Sequence, residues 1–285
     1  LVAVGFIYNQ GYFAQHITED GWQETRNLIL NFDEMPILPV EDAQGKPVII
    51  SVELPGRSVF ARIWQVRVGR VMLYLLDTNL AENNNGDRQL TARLYSNDLE
   101  VRISQEILLG IGGVRALRQL GYSPDVWHMN EGHSAFLALE RALELVRAGK
   151  TFDQAASIIK KTNIFTTHTP VPAGNDQFPI WLVDKYFTQV WPELQLTRDQ
   201  FVELGHQIQP WGESFCMPVL ALKLSDYRNA VSELHGQVSR RMWNWMWPNI
   251  RAEEVPITHV TNGVHTGTFL ARRLRLLFDR YLGAD

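Results

Sequence analysis

VWHMNEGHSAFLALERALELV, residues 126–146, is the stretch that decides the predicted fold of this chain. Its second half is typical of an amphipathic helix, because Phe136, Leu139 and Leu143 recur at the spacing of one helical face. Its first residues are typical of a strand end, and Gly132 suits a tight turn between the two. The stretch therefore predicts a strand, a turn and a helix of an α/β fold.

The polar residues between this strand and helix form a candidate binding site. They include His128, Asn130, Glu131 and His133, whose side chains donate and accept hydrogen bonds. Ligands of open α/β folds bind outside the carboxyl ends of the strands, and these residues are expected at that edge.

Two further predicted strands end in polar clusters. Residues 163–167 predict a short β-branched strand that ends at His168. Residues 257–260 predict another strand, which leads into an Asn-Gly turn at Asn262. Because parallel strands end at a common edge, we expect His168 to lie near His133.

The rest of the chain predicts a β-rich part over residues 1–96 and an α/β part over residues 97–285. Strands are predicted over residues 1–8, 47–52, 59–68 and 71–76. Helices are predicted from Asn97 or Asp98 to about Leu120, after a capping box at Thr151, and over residues 178–191, 215–232 and 237–247. Turns are predicted at residues 11–13 and 20–23.

Three glycines lie inside the first predicted helix, at Gly110, Gly112 and Gly113. Glycines at this spacing invite comparison with a nucleotide-binding loop. Such a loop joins a strand to a helix, whereas these glycines follow apolar residues within a helix. Close packing against a neighbouring element is therefore the preferred interpretation.

The composition is that of an ordinary globular protein, with 45% hydrophobic and 20% charged residues among 285. The 27 basic and 31 acidic residues give a net charge of −4, which argues against nucleic acid or an anionic membrane as a partner. Cys216 is the one cysteine, so an internal disulfide and multi-cysteine metal sites are excluded. No apolar run reaches the roughly 18 residues of a membrane span.

The start of the chain, LVAVGFIYNQGYF, lacks a Met and has neither the basic region nor the cleavage site of a signal peptide. These residues are typical of a strand within a folded domain. We therefore expect the chain to be a fragment of a longer protein.

Three kinds of chemistry compete for the polar turn. His128, Glu131 and His133 would supply two imidazoles and a carboxylate to a metal. Their spacing, however, matches no common zinc pattern, and alternation along a strand would direct some of these side chains to opposite faces. A serine hydrolase would need a G-x-S-x-G turn, which the sequence lacks. Asparagine, glutamate and histidine suit sugar hydroxyls, with aromatic rings to cover sugar faces. Sugar binding is the preferred hypothesis. For Asn130 and His235 the alternative stays open that their side chains only form hydrogen bonds with nearby backbone groups.

Seven motifs span nearly the whole chain. They are GFIYNQGYFAQ at residues 5–15, DGWQ at 20–23, TARLYSND at 91–98, VWHMNEGHSAFLALE at 126–140, FTTHTPVPAGND at 165–176, VSELHGQVSRRMW at 231–243 and HVTNGVHT at 259–266. In this order they resemble the α-glucan (glycogen/maltodextrin) phosphorylase family, especially its shorter bacterial branch. Several long motifs in one order make the resemblance highly specific.

The resemblance implies a fold of two facing Rossmann-like domains with the active site between them. This chain, residues 1–285, resembles most of the N-terminal glucan-binding domain, an incomplete α/β domain with a β-rich region near its start. The C-terminal domain, whose lysine holds pyridoxal phosphate in the family, is absent from it.

The resemblance also implies roles for individual residues. His168 matches the histidine that hydrogen-bonds the glucosyl unit at the cleaved bond, and Asn262 matches the asparagine that binds the hydroxymethyl group of that sugar. Asn130, Glu131 and His133 match the segment that lines the acceptor side, where the leaving glucan lies. Glutamate stands where the longer-chain branch has aspartate.

The implied activity is that of a pyridoxal-phosphate-dependent glycosyltransferase. Family members cleave terminal α-1,4-glucosidic bonds of glycogen, starch or maltodextrin with inorganic phosphate and release glucose 1-phosphate. Phe269 aligns with a tryptophan that packs near the cofactor. The phosphate-binding cations and the cofactor lysine belong to the absent domain, so the chain alone is expected to be inactive.

The implied parent enzyme acts in the cytoplasm on α-1,4-glucan and phosphate, and it is compatible with a homo-oligomer. No metal is implied. The arginine-rich helix that binds nucleotide effectors in the animal enzymes is not evident in this sequence, where Arg115 and Arg118 are spaced apart. Allosteric control by nucleotides is therefore not expected. Two alternatives stay open: a nucleotide-sugar-dependent glucan synthase of the same architecture, which should lack the THTPVPAGND and TNGVHT motifs in this form, and a non-catalytic glucan-binding domain.

Overall fold

The computed structural model describes residues 1–10, 14–26, 28–94, 96–209 and 212–283. The chain divides into two compact units, Leu1–Arg228 and Asn229–Asp285. The predicted turn at residues 11–13 lies outside the described residues. Among the residues that are described, no helix has both the length and the apolar character that a membrane crossing requires.

Strands dominate the beginning of the first unit. They are β1 Val2–Phe6, β2 Ala14–Ile17, β3 Gln23–Arg26, β4 Leu38–Pro39, β5 Ile49–Leu54, β6 Arg57–Val68 and β7 Val71–Asp77. β1 pairs with β7 in parallel, whereas β4, β5 and β7 pair with β6 in antiparallel fashion, and β2 and β3 form a separate hairpin. The strands predicted over residues 47–52, 59–68 and 71–76 are confirmed with small changes of their bounds.

The helix predicted from Asp98 to about Leu120 is confirmed, with one irregular turn inside it. The Asp98 side chain accepts hydrogen bonds from two backbone N–H groups in the first turn of α1, Leu99–Ile107. A π turn at Leu108–Gly112 follows, and α2, Gly113–Gln119, continues the helix.

Close packing accounts for the glycines of this helix, as the sequence predicts. A Cβ atom on Gly110 would lie 2.7 Å from the backbone nitrogen of Leu137 and 2.8 Å from the Cβ atom of Phe136. Added Cβ atoms on Gly112 and Gly113 would contact only side chains, from β5, β1 and the helix itself. Gly110 thus lets the helix approach the backbone of the next helix, which no larger residue permits.

The rest of the first unit alternates strands and helices. The elements are β8 Trp127–Asn130, α3 Leu137–Arg147, α4 Phe152–Lys160, β9 Asn163–Thr167, β10 Gln177–Pro179, α5 Ile180–Phe187, α6 Val190–Glu193, α7 Arg198–Glu203, β11 His206–Gln209, β12 Gly212–Cys216 and α8 Met217–Lys223. The predicted capping box at Thr151 and the predicted strand over residues 163–167 are confirmed.

Two predicted helices are wrong in part. Residues 178–191 contain the end of β10 and two short helices, because Pro179 stays extended immediately before α5. Residues 215–232 begin at the end of β12. They then form the helix α8, and another strand follows it. Short buried strands and buried helices carry similar apolar runs, so the periodicity could not separate them.

A cluster of phenylalanines joins four elements of the first unit in one core. Phe136, the N-cap residue of α3, packs on Phe187 of α5, with ring centroids 4.7 Å apart. Phe187 contacts Phe201 of α7 at 5.2 Å, and Phe201 contacts Phe215 of β12 at 5.9 Å. All four rings are fully buried. The cluster holds α3 against the antiparallel sheet of β10, β11 and β12.

A partly buried ion pair connects α2 with α3. Nε and Nη2 of Arg115 donate to the two carboxylate oxygens of Glu140 at 2.7 and 3.1 Å. Its Nη1 also donates to the carbonyl oxygen of Ser51 in β5, at 3.0 Å. The planar guanidinium thus satisfies a carboxylate that would otherwise be buried without partners.

The second unit opens within a strand and is otherwise mainly helical. Its elements are β13 Tyr227–Ala230, α9 Glu233–Trp243, β14 Thr258–His259, α10 Thr266–Phe269 and α11 Arg272–Leu282. β13 and β14 pair in parallel. The helix predicted over residues 237–247 is therefore shifted, since α9 begins earlier and a 3₁₀ turn follows it before Pro248.

Replacing Gly110 by alanine should destabilise the protein by about 1–3 kcal/mol, because the new methyl group meets backbone that cannot move aside. Gly113→Ala is the matched control in the same helix, where the nearest atom is a valine methyl at 3.5 Å. The control should be neutral or slightly stabilising, since alanine favours a helix over glycine. Denaturant unfolding of both variants tests this; equal stability of the two would contradict the packing explanation.

Candidate functional site

The site begins with the pairing of β8 and β9. The two strands are parallel, with Trp127 opposite Asn163 and Asn130 opposite Thr166. Alternation along β8 buries Trp127 and Met129 and turns the side chains of His128 and Asn130 to the other side of the strand. The two strands therefore end together, and the predicted clusters that follow them are neighbours.

A cavity of about 380 Å³ opens at these strand ends. Its lining residues are Arg102, Asn130, Glu131, Gly132, His133, His168, Thr169, Gly174, Asn175 and Asp176. The volume lies within the range of small-ligand sites. Each described residue of the lining is polar or glycine, which suits a ligand covered with hydroxyl or charged groups. None of the expected aromatic rings lines the cavity among the described residues.

The carboxylate of Glu131 links the two strand ends. Its Oε2 atom accepts hydrogen bonds from the backbone nitrogens of His168 at 2.7 Å and Thr169 at 2.9 Å, and from Thr169 Oγ1 at 3.0 Å. Its Oε1 atom accepts from the backbone nitrogen of Gly132 at 3.1 Å. Four donors thus surround one carboxylate, and all of them are uncharged.

The predicted tight turn exists, but its unusual backbone conformation falls on Glu131 and not on the glycine. Glu131 has φ 75° and ψ 171°, a conformation that side chains other than glycine rarely adopt. Gly132 is needed for space, because a Cβ atom there would lie 2.8 Å from Cδ of Pro218 in α8. The turn therefore constrains two consecutive residues for two different reasons.

His168 lies beside Asn130, as expected from the two strand ends. Its Nε2 atom forms a hydrogen bond with Asn130 Oδ1. An amide oxygen only accepts, so Nε2 is the donor in this contact. The ring is thus held through Nε2, with its backbone held by Glu131.

Arg102 and Asp176, which were not predicted as site residues, form another part of the cavity together with His133. His133 Nδ1 lies 3.4 Å from Asp176 Oδ2, and the other oxygen of Asp176 accepts a hydrogen bond from Arg102. Asp176 belongs to the quoted motif at residues 165–176, so the sequence contained a signal for it. Arg102 lies on an ordinary helical face of α1 and gave none.

Glu106 lies behind this group, one helical turn after Arg102. It is buried, and its Oε1 is 3.6 Å from Arg102 Nη2. Burial raises the pKa of Glu106 well above its ordinary value, and the negative charge of Asp176 raises it further, although Arg102 opposes both. Glu106 is therefore a neutral carboxylic acid over a wider pH range than an exposed glutamate.

The three residues of the alternative metal site have different partners. Nε2 of His128 is 2.7 Å from Thr166 Oγ1, and burial, together with the neighbouring His168, lowers the pKa of His128. His133 faces Asp176, and Glu131 binds backbone nitrogens. In the part of the chain that the structure describes, no group of three or more histidine, cysteine, aspartate or glutamate side chains is arranged for a metal ion.

Asn262 and Phe269 lie in the second unit, and their predicted roles stay predictions. Asn262 follows β14, and its backbone nitrogen donates to the carbonyl oxygen of Val231 at 3.1 Å. Phe269 ends α10 with 79% of its surface exposed. His235 accepts a hydrogen bond from the backbone nitrogen of Val231, in line with the alternative of backbone contacts for this residue.

The chain is similar along its whole length to phosphorylases. It is 44% identical over 283 residues to a maltodextrin phosphorylase of Thermococcus litoralis, covering 99% of this chain and 33% of that protein. It is 44% identical over 300 residues to a glycogen phosphorylase of Mycobacterium tuberculosis, and 37% identical over 285 residues to one of Aquifex aeolicus. These two matches cover 100% of this chain, and 34% and 41% of the respective relatives.

The chain thus spans between a third and about two fifths of the length of these relatives. No protein-family model matches it. The resemblance predicted from the seven motifs is confirmed, since all three relatives are named as phosphorylases of glycogen or maltodextrin. Their names favour the phosphorylase prediction over the glucan synthase alternative.

Replacing Glu106 by glutamine should stabilise the protein at neutral pH. Because folding raises the pKa of Glu106 above its ordinary 4.5, the folded state holds a proton that the unfolded state has lost, and the free energy of unfolding falls as pH rises through that window. Glutamine does not ionise, so the advantage of the variant should grow by up to about 1 kcal/mol per pH unit above pH 4.5. Denaturant unfolding at about pH 4 and about pH 7 measures it, and an unchanged difference between the two would contradict the raised pKa.

Proposed function

We propose that this chain, which matches one segment of the glycogen and maltodextrin phosphorylases along its whole length, forms the glucan-binding side of an α-1,4-glucan phosphorylase. The observation that carries the proposal is the all-polar cavity at the ends of β8 and β9. It unites Asn130, Glu131, His133 and His168 from two separate motifs. The substrates of the proposed enzyme are an α-1,4-glucan and inorganic phosphate, and its product is glucose 1-phosphate.

His168 and Asn262 are the proposed contacts of the glucosyl unit whose bond is cleaved. The contact between His168 and Asn130 directs the protonated Nε2 away from the ligand, so Nδ1 is the nitrogen that accepts from a sugar hydroxyl. Positive charge builds at the anomeric carbon as the bond to the glucan breaks. The imidazole and the amide act on the sugar by positioning and hydrogen bonding.

Asn130, Glu131 and His133 are the proposed lining of the acceptor side, where the shortened glucan leaves. His133 presents Nδ1 to Asp176, which leaves Nε2 for a hydroxyl of the ligand. Asn130 uses its amide oxygen on His168, which leaves its amide nitrogen as a donor. A wall of this kind alternates donors and acceptors, as sugars require.

The described residues that line the cavity do not fit covalent attachment of pyridoxal phosphate, because no lysine is among them. Lys185 is paired with Glu100 at 2.6 Å, and Lys223 is paired with Glu203 at 2.9 Å. Both amino groups are therefore already occupied by carboxylates. We therefore assign the cofactor lysine to a part of the enzyme beyond this chain.

The proposal extends to the setting of the enzyme. It acts in the cytoplasm as a cofactor-dependent glycosyltransferase, and its assembly into a homo-oligomer is an expectation from the family resemblance. Neither nucleic acid nor a membrane is a proposed partner.

In the full-length enzyme, His168→Ala should lower the rate of phosphorolysis of maltodextrin by about two orders of magnitude, the usual effect of losing one hydrogen bond to a transition state. His206→Ala is the matched control, because His206 lies on β11 beside Glu203 and Glu213 and does not line the cavity. The control should keep parental turnover. Near-parental turnover of His168→Ala would contradict the assignment of His168 as a contact of the glucosyl unit.

The chain on its own should bind no pyridoxal phosphate stoichiometrically and should release no glucose 1-phosphate from maltodextrin and phosphate. The expectation rests on the absence of a lysine among the residues of the cavity. Absorbance spectra before and after dialysis, with an assay for glucose 1-phosphate, test it. A one-to-one adduct that survives dialysis, or product formed by this chain alone, would contradict it.

A further inference from the structure

Glu131 combines a strained backbone with a carboxylate that accepts four hydrogen bonds. Its φ of 75° and ψ of 171° place it where glycine is strongly favoured. Within the described residues, Gln195 at φ 60° is the other residue besides glycine with a positive φ. A strained conformation persists where the surroundings determine it, so the glutamate side chain must provide something that glycine cannot.

The contacts of Glu131 extend to all of its polar atoms. Its backbone nitrogen donates to the carbonyl oxygen of Thr166 at 2.9 Å, and its carbonyl oxygen accepts from Ser134 Oγ at 3.1 Å. Its carboxylate receives the four donors from Gly132, His168 and Thr169. Three of these donors share Oε2, which leaves that oxygen no lone pair for a sugar hydroxyl.

These bonds fix the backbone on which the proposed sugar contact depends. The His168 backbone nitrogen is held by Glu131, and the His168 ring is held by Asn130, the residue immediately before Glu131. Two consecutive residues at the end of β8 therefore hold His168 from both sides. Loss of the carboxylate would release the loop that follows β9 and, with it, the direction of the imidazole.

We infer that Glu131 is a positioning residue, whose carboxylate sets the backbone of His168 and Thr169 instead of binding the glucan directly. The inference rests on the proposed function, since it takes His168 as the sugar contact. It assigns the strain at the end of β8 to the orientation of His168. Displacement of a catalytic group by about 1 Å can lower a rate about a hundredfold, so such a role is large enough to measure.

The test uses the full-length enzyme and the variants Glu131→Gly and Glu131→Gln. Glycine removes the strain and the clamp together, so Glu131→Gly should fold normally but lose about a hundredfold in kcat, with KM for maltodextrin within about threefold of the parent. Glutamine keeps an oxygen for the donors of His168 and Thr169, so Glu131→Gln should stay within about tenfold of the parental kcat. Gln195→Gly is the matched control; it removes the other strained residue away from the cavity and should change neither constant.

A double-mutant cycle with His168→Ala decides how Glu131 acts. If it acts through His168, Glu131→Gly should have little further effect on kcat in the His168→Ala background. Independent effects of the two substitutions on kcat in the cycle would overturn the inference, and so would a rise of KM in Glu131→Gly that depends on glucan length. A loss of kcat in Glu131→Gln as large as in Glu131→Gly would overturn it too, because it would show that the negative charge itself is needed. Parental activity of His168→Ala would instead refute the role proposed for His168, and a parent enzyme without phosphorolysis of maltodextrin would refute the proposed function, so these failures are distinguishable.

Discussion

Every polar contact of the cavity presupposes the register of β8 against β9. With Asn130 opposite Thr166, the two strands end at the same level, and Glu131 reaches the backbone beyond β9. A shift by one residue would turn Trp127 and Met129 outward and bring their polar neighbours into the core. The burial of these two apolar side chains therefore fixes the register, and the register fixes the site.

Close contacts at two glycines hold the surrounding helices to this pair of strands. Gly110 lets the helix of α1 and α2 touch the beginning of α3, and Gly132 lets α8 approach the turn after β8. Phe136 contributes to both the first of these contacts and the phenylalanine core. The polar turn is thus framed by tightly packed elements, which is the support that a preorganised site requires.

The sequence predicted those features that depend on local chemistry. The cap at Asp98, the capping box at Thr151, the strand over residues 163–167 and the meeting of His133 with His168 followed from spacing and residue type. It could not predict Arg102, because an arginine on an amphipathic helix resembles any solvated charge until the partner from a distant loop is known.

Features that depend on tertiary context were misjudged. The strands around Phe215 and in β13 were predicted as helix, since apolar residues at helical spacing do not distinguish a helix from short strands beside one. The tight turn was predicted at Gly132, whereas the positive φ falls on Glu131, because a sequence reveals which residue tolerates a positive φ and not which one is forced into it. Glu131 adopts it because donors from another strand end hold its side chain.

The π turn at Leu108–Gly112 gives the long helix two rotational phases. Each residue advances an α-helix by about 100°, so the wider turn shifts the direction of every later side chain relative to the earlier ones. Arg102, before the turn, faces the cavity and Asp176, whereas Arg115, after it, faces Glu140 in the interior. A regular α-helix already separates residues 13 positions apart by about 140° around its axis. The irregular turn changes that angle, so it sets how one continuous helix divides its arginines between the cavity and the neighbouring helix.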